Sequence, residues 1–201
     1  MRVGILALQG DVAEHVRMIR SCGADAQEVR TPGDLQRVDA LIMPGGESTT
    51  IGMLMRRCGL DDAIRDRARE GLPILGTCAG AILLARQASG GRPLLLKLMD
   101  IAVARNAYGR QRESFETDLS IPEVSVSPIR VAFIRAPVIE EVGTGVQVLA
   151  EHDGSPVLVR QDNLLAATFH PEILDQSALH RYFIAMGGSS HSRLTAALTP
   201  S

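Results

Sequence analysis

The 201-residue chain has no tryptophan, and aromatic residues make up only 3% of it. That scarcity argues against recognition of single-stranded nucleic acid, which stacks bases on aromatic platforms. Positive charge is not in excess. The 21 basic residues face 23 acidic ones, the net charge is −2 and the isoelectric point is near 6.2. No basic field therefore points to nucleic acid or to a membrane surface. Lysine is almost missing: Lys97 is the only one, and the arginine bias reads as genomic nucleotide composition. Cysteine is sparse too. Cys22, Cys58 and Cys78 lie far apart with no CxxC pair, so neither a metal site nor a closed disulfide framework is predicted, and a reducing cytoplasmic setting is expected. No run approaches the ~18 apolar residues of a membrane span. The apolar start up to Leu8 is too short for a secretory signal, and Gln9-Gly10-Asp11 ends it.

What is present is an ordinary globular mixture, 45% apolar and 22% charged. The length suits one domain with a sizeable core. Val3–Leu8 and Ala40–Met43 are continuous apolar runs, the pattern of strands buried on both faces, and Ala26–Val29 and Pro73–Leu75 are shorter strand candidates. Between them, Val12–Cys22, a segment running to Cys58 capped by Ser48 or Thr49, and Asp61–Glu70 read as helices, and Ala79–Gln87 follows as an apolar helix. The alternation specifies an α/β fold: a mostly parallel, doubly wound (flavodoxin-like) sheet with helices on both faces. The second half is strand-rich, with Ile101–Arg105, Phe115–Leu119, Val131–Ile134, Val146–Ala150, Val157–Arg160 and Leu164–Phe169 expected to add antiparallel strands at the sheet edge. Gln176–Met186 reads as a closing helix. Residues 1–188 are expected to form a single domain, with 189–201 a flexible tail.

Three segments carry chemistry. Gly76-Thr77-Cys78-Ala79-Gly80 has the form G-x-C-x-G between a buried strand and an apolar helix. A nucleophile on a sharp strand-to-helix turn needs small neighbours, and the turn leaves the next backbone N–H, on Ala79, facing an oxyanion. The pentapeptide alone fits a buried structural cysteine equally well. Phe169-His170-Pro171-Glu172 supplies a base and a carboxylate two residues apart, on one side of an extended chain. The other histidines, His15, His152, His180 and His191, read as ordinary core or surface residues. Pro44-Gly45-Gly46-Glu47-Ser48-Thr49-Thr50 brings backbone N–H groups to another strand end. It lacks the G-x-x-x-x-G-K-[ST] pattern of a phosphate loop.

Taken together, these segments resemble the class I (triad) glutamine amidotransferases. More narrowly, the chain resembles the glutaminase subunit of pyridoxal 5′-phosphate synthase. Ala7–Gly10, Pro44–Thr50, Gly76–Gly80, Arg105-Asn106-Ala107-Tyr108-Gly109-Arg110-Gln111, Phe133–Pro137, Glu151–Gly154 and Phe169–Glu172 support the likeness, in family order over about residues 2–186, and the 44–50, 105–111 and 133–137 segments make the narrower assignment specific. The resemblance implies Cys78 as nucleophile, His170 as base and Glu172 as its orienting carboxylate. It implies Gly46, Glu47, Ser48, Arg105, Ile134 and Arg135 as the L-glutamine pocket, with Gly46 and Ala79 forming the oxyanion hole. It further implies hydrolysis of glutamine to glutamate and ammonia through a thioester, no metal or organic cofactor, and delivery of ammonia to a separate synthase subunit. One departure is Lys97, where the family usually has glycine, so the turn over residues 90–100 is expected to change. The rivals are a glutaminase serving another pathway, a cysteine peptidase, and a non-catalytic flavodoxin-like binding protein.

Overall fold

The computed structural model describes residues 1–91, 93–105, 114–174 and 176–197, with side chains through 188. Along the chain run β1 (Arg2–Leu6), α1 (Val12–Ser21), β2 (Asp25–Val29), α2 (Pro32–Leu35), β3 (Ala40–Met43), α3 (Ser48–Cys58), α4 (Leu60–Arg69), β4 (Ile74–Thr77) and α5 (Ala79–Leu84). Then follow β5 (Ala85–Ser89), β6 (Met99–Ala104), β7 (Ser114–Leu119), β8 (Ile129–Ile134), β9 (Val138–Val142), β10 (Gln147–His152), β11 (Ser155–Gln161), β12 (Leu164–Ala167) and α6 (Ala178–Ala197).

Seven strands form the main sheet, in the order β10-β11-β12-β4-β3-β1-β2. The five from β12 to β2 are parallel, and β10 and β11 extend the β12 side antiparallel. The central strands are buried on both faces, which is why they read as unbroken apolar runs. Leu41 and Met43 of β3 enter the core under α3, α4 and α5, while Ala40 and Ile42 enter the opposite core with Ile19 of α1 and Leu179 and Phe183 of α6. Chain direction reverses between β1, which leads to β2 on one side, and β3, which leads to β4 on the other. Ligand sites in such sheets form at that switch point, beyond the carboxyl ends of the strands. No helix among the described residues is long and apolar enough to cross a membrane.

Several expectations are corrected. Only β10 and β11 join the main sheet antiparallel. β5-β6-β9 and β7-β8 form two small separate sheets, and β9 had no reading as a strand. The helix expected over Ala79–Gln87 stops at Leu84, because Ala85–Ser89 is recruited as β5 into parallel pairing with β6. The cap of α3 is not Ser48 or Thr49 but Glu47, whose carboxylate accepts from the N–H groups of Thr49 and Thr50. α6 continues to Ala197, through much of the segment expected to be a tail. Lys97 adopts a left-handed φ of 56° on a residue that carries a Cβ.

Candidate active site

Cys78 sits in the turn between β4 and α5 with φ 48° and ψ −101°, a strained conformation for a non-glycine residue. Its N–H donates to the Ala167 carbonyl at 2.8 Å, so the β4–β12 ladder fixes the turn. The flanking glycines are required by close approach. A Cβ on Gly80 would strike the Met43 carbonyl, and one on Gly76 would lie 2.6 Å from the Gly80 backbone. The small residues of G-x-C-x-G thus let α5 press against β3 and β4 while the side chain of Cys78 turns out of the sheet edge. α5 is only six residues long, so the charge beside the thiol comes chiefly from His170 rather than from a helix dipole.

His170 follows β12, and its N–H donates to the Ala132 carbonyl of β8 at 2.8 Å. The small β7-β8 sheet therefore clamps the backbone that carries the ring. Nδ1 of His170 lies 2.8 Å from Oε1 of Glu172, a carboxylate with no solvent exposure, and 3.3 Å from Oδ2 of Asp11. Burial works to lower the pKa of His170, but hydrogen bonding to Asp11, Cys78 and Glu172 overrides it and holds the ring well above the ordinary imidazole value. Burial raises the pKa of Glu172, against the pull of His170. With Nδ1 committed to carboxylates, Nε2 is the nitrogen left for Cys78. The ligand atoms of Asp11, His170 and Glu172 gather within 4.8 Å of one another. A metal there would require a bare Nδ1, whereas this arrangement keeps the proton on it.

The third segment is held from the first loop. Asp11 donates its N–H to the Gly45 carbonyl at 3.2 Å, and Gln9 Oε1 accepts from the Glu47 N–H at 2.7 Å. No peptide here is cis, so the Gly46 N–H, opposite that Gly45 carbonyl, points away from the 9–11 loop. A Cβ on Gly45 would collide with the His170 ring and the Asp11 carboxylate. Glu47 spends its carboxylate on the Thr49 and Thr50 N–H groups and the Thr50 hydroxyl, which, with Thr50 foremost, lower its pKa to about 2. Arg105 Nη2 lies 3.2 Å from the same carboxylate. Arg135 adopts a positive φ of 44°.

These elements enclose a cavity of about 370 Å³. Gly46, Glu47, Ser48, Cys78, Ala79, Arg105, Ile134, Arg135 and His170 all line it, joined by Gln9, Asp11, Ile82 and Pro137. Glu172 alone of the expected residues lies behind the wall, against His170. The Asn106–Gln111 part of the expected motif falls outside the described residues. Asp11, and the buried pair His15 and His180 behind Glu172, had no assigned part in the sequence reading. Asp11 borders a quoted motif, but nothing local marks two histidines 165 residues apart as neighbours.

Residues 5–188 match the model of the SNO glutamine amidotransferase family. A Niallia circulans protein named pyridoxal 5′-phosphate synthase subunit PdxT is 53% identical over 186 residues, 92% of this chain and 97% of that one. A protein of the same name from Thermotoga neapolitana is 47% identical, covering 92% and 99%. A crystal structure of a glutamine amidotransferase superposes with a TM-score of 0.88 at 48% identity, covering 92% of this chain and 98% of that chain. Another glutamine amidotransferase structure, from Thermotoga maritima, shares the fold with a TM-score of 0.61 at 13% identity, covering 96% of this chain and 85% of that chain. The chain belongs to the SNO glutamine amidotransferase family.

Proposed function

We propose that the chain is the glutaminase subunit of a pyridoxal 5′-phosphate synthase, hydrolysing L-glutamine and passing the ammonia to a synthase subunit. The observation that carries this reading is the convergence of Cys78 and the His170–Glu172 pair, from two strand ends far apart in sequence, at one cavity lined by the expected glutamine residues. The curated relatives of similar length, each named as a subunit of that synthase, support the pathway.

In the proposed mechanism the Cys78 thiolate attacks the side-chain carboxamide carbon of glutamine. The N–H groups of Ala79 and Gly46 receive the oxyanion. His170 transfers its proton from Nε2 to the departing nitrogen, which leaves as ammonia, and an acyl thioester remains on Cys78. Neutral His170 then takes a proton from water, the resulting hydroxide attacks the thioester, and glutamate departs as the thiolate and imidazolium are restored. Glu172 keeps Nδ1 protonated throughout. Because the Glu47 side chain caps α3, the segment 46–48 is assigned to glutamine through its backbone. Arg105 and Arg135 offer forked donors for the α-carboxylate. Three free cysteines accord with a reducing cytoplasm.

The test is labelling by a glutamine-analogue electrophile at neutral pH, followed by peptide mass spectrometry. Modification confined to Cys78 and blocked by L-glutamine supports the reading. Equal labelling of Cys22 and Cys58, with no protection, contradicts it.

A further inference from the structure

Glu172 has a second oxygen that the triad does not use. Oε2 is buried without a hydrogen-bond partner, and Nε2 of His15 lies 3.5 Å from it. His15 projects from α1, and its Nε2 also lies 3.2 Å from the hydroxyl of Thr77, the residue before the nucleophile. On its other side, His15 Nδ1 lies 3.0 Å from Nε2 of His180 on α6. Nδ1 of His180 is buried and unpaired. His15, Thr77, Glu172 and His180 all have no solvent exposure. A column of buried polar groups therefore runs from α6 through α1 to the back of the catalytic carboxylate.

Where the protons sit follows from counting donors and acceptors. Two protonated histidines cannot face each other at 3.0 Å in a dry interior. Burial first, and then the neighbouring ring charges, hold His15 far below the ordinary imidazole pKa, and burial alone lowers His180 to about 4. Both rings are neutral, which leaves two arrangements. If His15 donates from Nδ1, His180 must carry its proton on the unpaired Nδ1, a buried orphan donor, and the bare Nε2 of His15 turns its lone pair toward Glu172. If His180 donates from Nε2, only a bare acceptor is orphaned, and the His15 proton lies on Nε2, between Thr77 and Glu172. Orphaned donors are the rarer defect, and the second arrangement alone places a positive end against the carboxylate. In a low-dielectric interior that dipole counts for more than it does in water.

We propose that His15, fixed by His180 with its proton on Nε2, is a positioning residue for the triad: it steadies the free oxygen of Glu172 and, through that carboxylate, the charge and orientation of His170. The proposal rests on the glutaminase reading. Glu172 and Thr77 face His15 Nε2, His180 faces its Nδ1, and His170 beyond Glu172 meets Asp11 and Cys78. Removing the neutral donor takes a positive dipole from beside these groups. That raises the apparent pKa values of Glu172 and His170 and shifts the shared proton from His170 toward Glu172.

The experiment compares wild type, His15→Leu and His15→Gln, each assembled with the synthase subunit, by glutamine turnover across pH. Gln places an amide N–H near the imidazole Nε2 position; Leu places none. His15→Leu is expected to lose about tenfold in kcat with KM for glutamine within about twofold, and to move the acid limb of kcat/KM up by about half to one pH unit. His15→Gln is expected to restore most of kcat and the limb. A His15→Leu protein that folds and keeps the wild-type kcat and pH profile, with only a lower Tm, overturns the proposal. If His15→Leu fails to fold, His180→Leu against His180→Gln makes the same comparison. Independently, ¹H–¹⁵N correlation spectra of the wild-type histidines should show His15 protonated at Nε2, its signal identified by loss in His15→Gln. A proton on Nδ1, or a charged ring at pH 7.5, overturns the proposal even if turnover is absent. Absence of turnover in wild type with its partner is instead a failure of the glutaminase reading.

Discussion

Asp11 and Glu172 each direct a carboxylate oxygen at the same nitrogen, Nδ1 of His170, from 3.3 Å and 2.8 Å. One proton cannot serve both equally. Glu172 is nearer and fully buried, whereas the Asp11 side chain is about one-third exposed, at 35%. Glu172 therefore orients the ring, and Asp11 adds charge that water partly screens. His170→Asn should lose most activity, Glu172→Gln less, and Asp11→Asn least, with a loss of about tenfold or smaller. Asp11→Asn should also move the basic limb of the rate profile to lower pH, since a negative charge that holds the imidazolium proton is gone. Steady-state ammonia release across pH checks the order. A larger loss in Asp11→Asn than in Glu172→Gln would show the roles are exchanged.

A second prediction concerns coupling to the partner. Gly45 is tied to Asp11 and the Glu47 N–H to Gln9, so the loop after β1 holds the oxyanion segment. Gly46 adopts φ of 150°, and a Cβ there would lie 2.6 Å from Gln9 Oε1. A partner docking near residues 9–15 and 44–50 would turn the Gly45–Gly46 peptide at small steric cost. The isolated chain is expected to be slow and the complex faster, by up to about 10²–10³, the worth of one oxyanion donor. Gly46→Ala should cut the stimulated rate far more than the basal one. Ammonia release with and without the synthase subunit decides it, and a wild type fully active alone argues against the coupling.

Lys97 offers a test on stability. A left-handed backbone costs a residue with a Cβ about 1–2 kcal/mol, and glycine gives back about 0.5–1 kcal/mol of that through its unfolded-state entropy. Lys97→Gly should therefore stabilise by about 0.5–1 kcal/mol, raising Tm by about 1–4 °C. Calorimetry showing a lower Tm would mean that the lysine side chain contributes more than the strain costs.

The buried histidines set an acid limit. The folded-state pKa of His180 is lowered to about 4 and that of His15 lies well below its ordinary value. Groups depressed in this way bind fewer protons folded than unfolded. Their stabilisation is present above about pH 6.5 and is lost as pH falls toward 4. The raised pKa of His170 acts in the opposite sense and only above pH 6.5, so it adds no slope in this window, whereas the buried Glu172 carboxyl, raised above its ordinary value, opposes part of it from about pH 4.5 upward. Each histidine contributes up to about 1.4 kcal/mol per pH unit there. Denaturant midpoints at pH 7, 6, 5 and 4 should fall steeply in wild type and less steeply in His180→Gln. Parallel curves would assign the acid sensitivity to other groups.

Most of the first half of the fold was legible because β1, β3 and β4 are buried on both faces and its chemical motifs are local. Ala40–Met43 announces itself as a strand without knowledge of its neighbours, and G-x-C-x-G and His170-Pro171-Glu172 are each visible as a motif within five residues, though they point to a triad only together. What escaped depends on distant partners. Ala85–Ser89 continues an apolar helix until β6 pairs with it. Whether Glu47 meets glutamine through its side chain or its backbone stays open in the sequence until the N–H groups of Thr49 and Thr50 take its carboxylate. His15 and His180 are ordinary singly and become a pair only when α1 and α6 pack on one face of the sheet.

The central claim is that Cys78 carries the acyl group of glutamine. Its most direct test is glutamine hydrolysis by the chain assembled with its synthase subunit, comparing wild type with Cys78→Ala, Cys22→Ala and Cys58→Ala at equal Tm. The account predicts that Cys78→Ala falls to background while the other two stay near wild type. Hydrolysis by a folded Cys78→Ala protein above the level of a mock preparation would contradict it.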